Sequence, residues 1–84
     1  MTDKVLVEIF IPAAGASYDV YIPLASKMGD VLLLVAHALS ELSAGKYQAG
    51  EDAVLCDART GSVYDMNMPV AELSICNGSR LMLI

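Results

Sequence analysis

The chain has 84 residues, 56% hydrophobic and 18% charged, which is enough apolar material for one packed core and too little length for two, so a single domain over 1–84 is expected. Its formal net charge is -5, and its five basic residues, Lys4, Lys27, Lys46, Arg59 and Arg80, are scattered, which argues against nucleic acid and anionic membrane surfaces as partners. The longest apolar run, residues 31–36, falls far short of the roughly 20 residues of a bilayer span, and the opening Met1-Thr-Asp-Lys4 lacks the character of a secretory signal.

Residues 5–11 alternate, with Val5, Val7, Ile9 and Ile11 on one face and Leu6, Glu8 and Phe10 on the other, which predicts a strand. Turn chemistry around Pro12 and Gly15 follows. Residues 17–22 then alternate again, Tyr18, Val20 and Ile22 against Ser17, Asp19 and Tyr21, so the two strands read as a hairpin. Pro23 ends the second strand, Ser26 is placed to cap a helix, and Asp30 suits the positive end of its dipole. Val31, Val35, Ala38, Leu39 and Leu42 recur at spacings of three and four, predicting a helix over about 27–43 with Gly45 as its stop. A polar loop over 46–52 leads to a short strand at 53–56, whose inward face is open between Leu55 and the pair Val54 and Cys56. A turn at Thr60-Gly61, a brief strand at 62–64, a helical turn over 70–73, a turn at Asn77-Gly78 and a last strand over 80–84 complete the chain. In that last strand Leu81 and Leu83 oppose Arg80, Met82 and Ile84. Strand, strand, helix, strand, short strand, strand is an α+β order in which one helix covers one face of a small sheet; several topologies satisfy it.

The segment from Thr60 to Ile84 resembles the second half of ubiquitin: a glycine turn, a short strand, a helical turn at Val70-Ala-Glu-Leu73, an isoleucine at Ile75 and a Leu-x-Leu strand follow in the same order. The stretch Ile75-Cys-Asn77-Gly78-Ser-Arg80-Leu81 is similar to the corresponding stretch of YukD-like bacterial ubiquitin-like proteins, which are associated with type VII (ESX-like) secretion. The resemblance implies a ubiquitin-like β-grasp, a mixed sheet of four to five strands packed on one helix, with the last strand parallel to the first. It also implies a cytoplasmic accessory of a secretion machine. Conjugated ubiquitin-like proteins carry an extended Gly-Gly tail for adenylation. The sequence given ends at Ile84 in a predicted strand, and the expectation is a fold kept without conjugation.

Chemistry-bearing residues do not converge in the sequence. His37 lies off the apolar stripe with Glu41 one turn on, the serines lack a nucleophile elbow, and Asp57, Asp65 and Glu72 are not spaced as a carboxylate pair. Gly29, Gly45 and Gly61 form no phosphate loop, and Cys56 and Cys76, twenty residues apart, read as free thiols. No catalytic residue, cofactor site or metal site is expected. The informative surplus is apolar. If the helix covers the face bearing Val5, Val7, Ile9, Val20, Ile22, Leu81 and Leu83, then Leu6, Phe10, Tyr21, Met82 and Ile84 point away from it as a protein-binding patch, with scattered surface hydrophobes as the alternative. The functional expectation is a non-enzymatic binding module whose partner is a membrane-anchored secretion component, an ATPase or a second copy in a homodimer. A generic β-grasp adaptor or self-associating scaffold, or a sulfur-carrier-like protein, are the alternatives.

Overall fold

The computed structural model describes residues 3–48, 50 and 52–84. These residues form four strands and one helix: β1 (Lys4–Ile11), β2 (Ala16–Pro23), α1 (Met28–Leu42), β3 (Leu55–Asp57) and β4 (Arg80–Leu83), with a short 3-10 turn at Val70–Glu72. The sheet order is β2-β1-β4-β3. β1 pairs with β2 antiparallel and with β4 parallel, while β3 pairs with β4 antiparallel. This mixed sheet on one helix is the β-grasp that the C-terminal resemblance implied, with four strands. Val63 makes only an isolated bridge to Cys56, so the brief strand expected at 62–64 does not form.

Alternation in the strands decides which side chains meet the helix. Val5, Val7, Ile9 and Ile11 from β1, Ile22 from β2, Leu55 from β3, and Leu81 and Leu83 from β4 are buried together with Met28, Val31, Val35 and Leu39 of α1. Each such aliphatic side chain contributes roughly 1.5–3 kcal/mol by leaving water. Leu55 therefore settles the facing of β3, and Cys56 takes the opposite side.

The helix departs from the predicted stripe at four positions. Met28 and Ala36 are buried, whereas Ala38 and Leu42 are exposed. Ala38 lies about 100° around the helix from Leu39, which is enough to carry it out of the core. Tyr47, expected in a polar loop, packs in the core instead at 5% exposure. Ser26 does not cap the helix; the cap position is Lys27, with no side-chain hydrogen bond. The first free amides are satisfied from a distance: Met28 donates to the Met68 carbonyl and Gly29 to that of Met66, both at 2.9 Å. A Cβ at Gly29 would lie 3.1 Å from the Met66 oxygen, so the glycine marks where this loop seats on the first helical turn. At the other end the chain leaves the helix through left-handed Ala44 (φ 54) and Gly45 (φ 83).

Candidate functional site

Residues paired across neighbouring strands share a sheet face, so the register fixes the layout of the side away from the helix. Leu6 stands opposite Tyr21. One pleat further, Glu8 stands between Asp19 on β2 and Arg80 on β4. The next row runs Ser17, Phe10, Met82 and Cys56 across all four strands. Ile84 lies beyond Met82 and is held to Val54 by two backbone hydrogen bonds, Val54 N–H to the Ile84 oxygen at 2.8 Å and Ile84 N–H to the Val54 oxygen at 3.0 Å.

All five candidate patch residues thus lie on the face away from the helix, but the register arranges them as two apolar groups. Leu6 and Tyr21 form one; Phe10, Met82 and Ile84 form the other. Leu6 and Phe10 are four residues apart on β1, about 13 Å, and the polar row Asp19, Glu8 and Arg80 crosses between them. Tyr21 is 66% exposed, Ile84 52% and Phe10 38%, while Leu6 and Met82 are half-buried.

Cys56 belongs to the second group's row but is only 1% exposed. Its thiol donates to the Met82 carbonyl, with sulfur and oxygen 3.6 Å apart. Burial, reinforced by the neighbouring Asp57 carboxylate, pushes that thiol's pKa up. The Tyr64 phenol is pushed up to about 12, first by burial and then by Asp57 and Cys56, against a smaller lowering by Arg59. Cys56 was absent from the predicted patch because its facing could not be read from a three-residue strand. Cys76 is an exposed free thiol.

A second apolar feature on the surface is helical. Leu33, Leu34 and Leu42 are all exposed, Leu34 at 65%; the sequence pattern had placed Leu42 on the inward stripe. His37 lies on the same helix, largely in solvent, with its Nε2 3.7 Å from a Glu41 carboxylate oxygen. Among the described residues, no three His, Cys, Asp or Glu side chains gather as metal ligands, and no helix is long and apolar enough to cross a membrane.

No family profile and no curated protein matches the chain. Solved structures do. A chain of the MycP5-free ESX-5 inner membrane complex is 13% identical with a TM-score of 0.82, the match covering 99% of this chain and 21% of that one. The ubiquitin-like domain of the Mycobacterium tuberculosis type VII secretion system protein ECCD1 is 16% identical with a TM-score of 0.78, covering 99% of both. The EccD5 ubiquitin-like domain from Mycobacterium xenopi is 19% identical with a TM-score of 0.73, covering 99% of this chain and 94% of that one. This chain spans about a fifth of the length of the ESX-5 complex chain that it matches. At such identities the likeness establishes architecture: the chain has the ubiquitin-like β-grasp fold, and ubiquitin-like domains of type VII secretion components are among its structural neighbours.

Proposed function

We propose that residues 1–84 form one ubiquitin-like, non-enzymatic protein-binding domain that serves a type VII (ESX-like) secretion machine from the cytoplasm. Its partner is a membrane-anchored component or ATPase of that machine, and it acts without being conjugated. The observation that carries the reading is the outer sheet face: Leu6 beside Tyr21, and Phe10 beside Met82 with Ile84 next to them, are held in place by the sheet and left uncovered by the helix. Fold alone would not select this role, since β-grasp domains serve many functions. Two further features support it, the likeness to the EccD ubiquitin-like domains and the YukD-like stretch from Ile75 to Leu81.

The test is co-purification from the host with the membrane components of the secretion machine, by the intact chain and by Phe10→Ala. Recovery of those components by the intact chain, lost with Phe10→Ala, is the expected result. Recovery that is equal for the two, or absent for both, contradicts the reading. Intact-mass spectrometry of the same material tests the absence of conjugation, because a covalent adduct would appear as added mass. A second reading, a self-associating scaffold, is favoured by Leu33, Leu34 and Leu42 on the exposed side of α1. Sedimentation of the purified chain over a concentration series distinguishes it.

A further inference from the structure

The two edges of the sheet are treated differently. Beyond β3 the chain folds back on itself: Asp57 N–H donates to the Ser62 carbonyl at 2.9 Å, Tyr64 N–H donates to that of Leu55 at 3.2 Å, and Val63 bridges Cys56. At the other edge β2 has a neighbour on one side only. Its free groups follow from the ladder. Leu24 N–H donates to the Asp3 carbonyl at 2.8 Å, while Leu6 and Glu8 turn their N–H groups the other way, to Asn77 Oδ1 at 2.8 Å and the Ser79 carbonyl at 2.9 Å. Bond-exchanging pairs alternate along an antiparallel ladder, so Val5, Val7 and Ile9 bond Ile22, Val20 and Tyr18. Ser17, Asp19 and Tyr21 therefore aim their N–H and C=O groups out of the sheet, where no backbone group meets them among the described residues.

Such an edge is usually blunted by lysine, a bulge, an internal proline or shortness. β2 is eight residues long, its eight pairs with β1 run without a bulge, it has no basic residue, and its proline is the last residue. Tyr18 and Val20 are half-buried on the helix side of this edge, and Tyr21 is 66% exposed on the other.

The edge is complementary to itself. Antiparallel pairing of two β2 strands sets outward-bonding residues opposite one another, and three registers keep Asp19 and Tyr21 of both copies opposite residues of β2. With Asp19 opposite Asp19, two carboxylates face each other, which is destabilising. With Tyr21 opposite Tyr21, Asp19 falls opposite Pro23, which has no N–H to return. With Asp19 opposite Tyr21, both central pairs exchange two hydrogen bonds, the Ser17 N–H meets the Pro23 carbonyl, and no carboxylates are opposed. The two-fold then passes between the two Val20 residues on the helix side, and Tyr18 stands opposite Ile22.

We propose that β2 pairs with β2 of a second copy of this chain in that register, joining two sheets into one with both helices on one side and both outer faces on the other. Phe10 and Met82 lie on β1 and β4 and stay uncovered, so the proposal does not rest on what docks there.

The experiment combines sedimentation of the full chain over a concentration series with amide hydrogen exchange by NMR. The expected result is a dimer in which the Ser17, Asp19 and Tyr21 amides gain protection as concentration rises. Asp19→Pro removes an outward N–H from each copy and none that holds β2 to β1, and should weaken the dimer about tenfold. A dispersed spectrum shows whether that variant is folded. Independently of it, Val20→Cys in a Cys76→Ser chain treated with diamide should form a disulfide between copies, since directly opposed residues of this kind lie about 4.5 Å apart; Ser17→Cys, placed opposite Pro23, should not. A chain that stays monomeric up to about 1 mM, where even weak specific association shows, overturns the proposal. So does a dimer whose three edge amides exchange freely, including one lost with Leu34→Ser, or one that a folded Asp19→Pro leaves unchanged, or cross-linking as good at Ser17→Cys as at Val20→Cys. The Phe10 co-purification result is independent of all of these.

Discussion

The Ser43 hydroxyl accepts the Tyr47 backbone N–H at 3.0 Å and donates to the Ser40 carbonyl at 3.2 Å. Ser43 is buried, and this single side chain ties the last turn of α1 to the segment that returns Tyr47 to the core. Ser43→Ala removes the acceptor and leaves a buried amide unpaired, a loss of about 1–3 kcal/mol. Urea denaturation should show the midpoint falling with an unchanged slope.

Tyr47 makes the opposite prediction. Its ring packs in the core while its hydroxyl, buried, has no hydrogen-bond partner among the described residues. Tyr47→Phe keeps the packing and removes the unpartnered group, so stability should hold or rise by up to about 1 kcal/mol. A fall of the thermal midpoint in calorimetry would show that the hydroxyl is paired.

The pH dependence follows from three raised acids. Burial raises the pKa values of Tyr47, Cys56 and Tyr64, the last from 10.0 to about 12. Each group is neutral below its unfolded pKa and ionises more readily in the unfolded chain, so their effect on stability appears only in alkali. Stability should be flat up to about pH 9 and fall as pH rises from there through about 12. Tyr64→Phe should make that fall shallower in urea midpoints taken at pH 7, 9.5 and 11. An unchanged slope would remove Tyr64 from the account.

Two residues with reactive chemistry are assigned no binding role. His37 and Glu41 are exposed, and a solvated pair of this kind adds little. Cys56 is buried beside Met82 beneath the outer face. His37→Ala and Cys56→Ser, if folded by circular dichroism, should each bind the partner as the parent does. Loss of binding by either would place chemistry where the account has none.

Much of the fold was legible because β1, β2 and β4 alternate strictly. Val7 and Ile9, or Leu81 and Leu83, leave no ambiguity about which face is inward, and the Ile75 to Leu81 stretch pointed to the parallel pairing of β1 with β4. Positions without a long repeat were harder. Cys56 sits on three residues of strand, too few for alternation to choose a face. Ala38 fell within the three- and four-residue spacing yet lies on the exposed flank, and Tyr47 fills the core from a loop whose composition reads as polar. Ser26 is a good cap by type, but tertiary carbonyls from Met66 and Met68 took the amides it would have served. For the candidate site, the five side chains were legible as outward-facing. Their division by Glu8, Asp19 and Arg80 depends on strand register, which a single sequence does not carry.

The central claim is that the outer sheet face binds protein, and Phe10→Ala measured beside the core control Val7→Ala tests it most directly. Phe10 is 38% exposed and Val7 1%. Truncating Val7 should cost about 2 kcal/mol of stability, because it leaves a cavity under the helix. Phe10→Ala should cost less than about 1 kcal/mol of stability and about 2 kcal/mol or more of partner affinity, or of dimer affinity if the partner is a second copy. Denaturation and binding isotherms on the same two proteins give both quantities. A Phe10→Ala protein as unstable as the control, or one unchanged in both stability and association, would contradict the account.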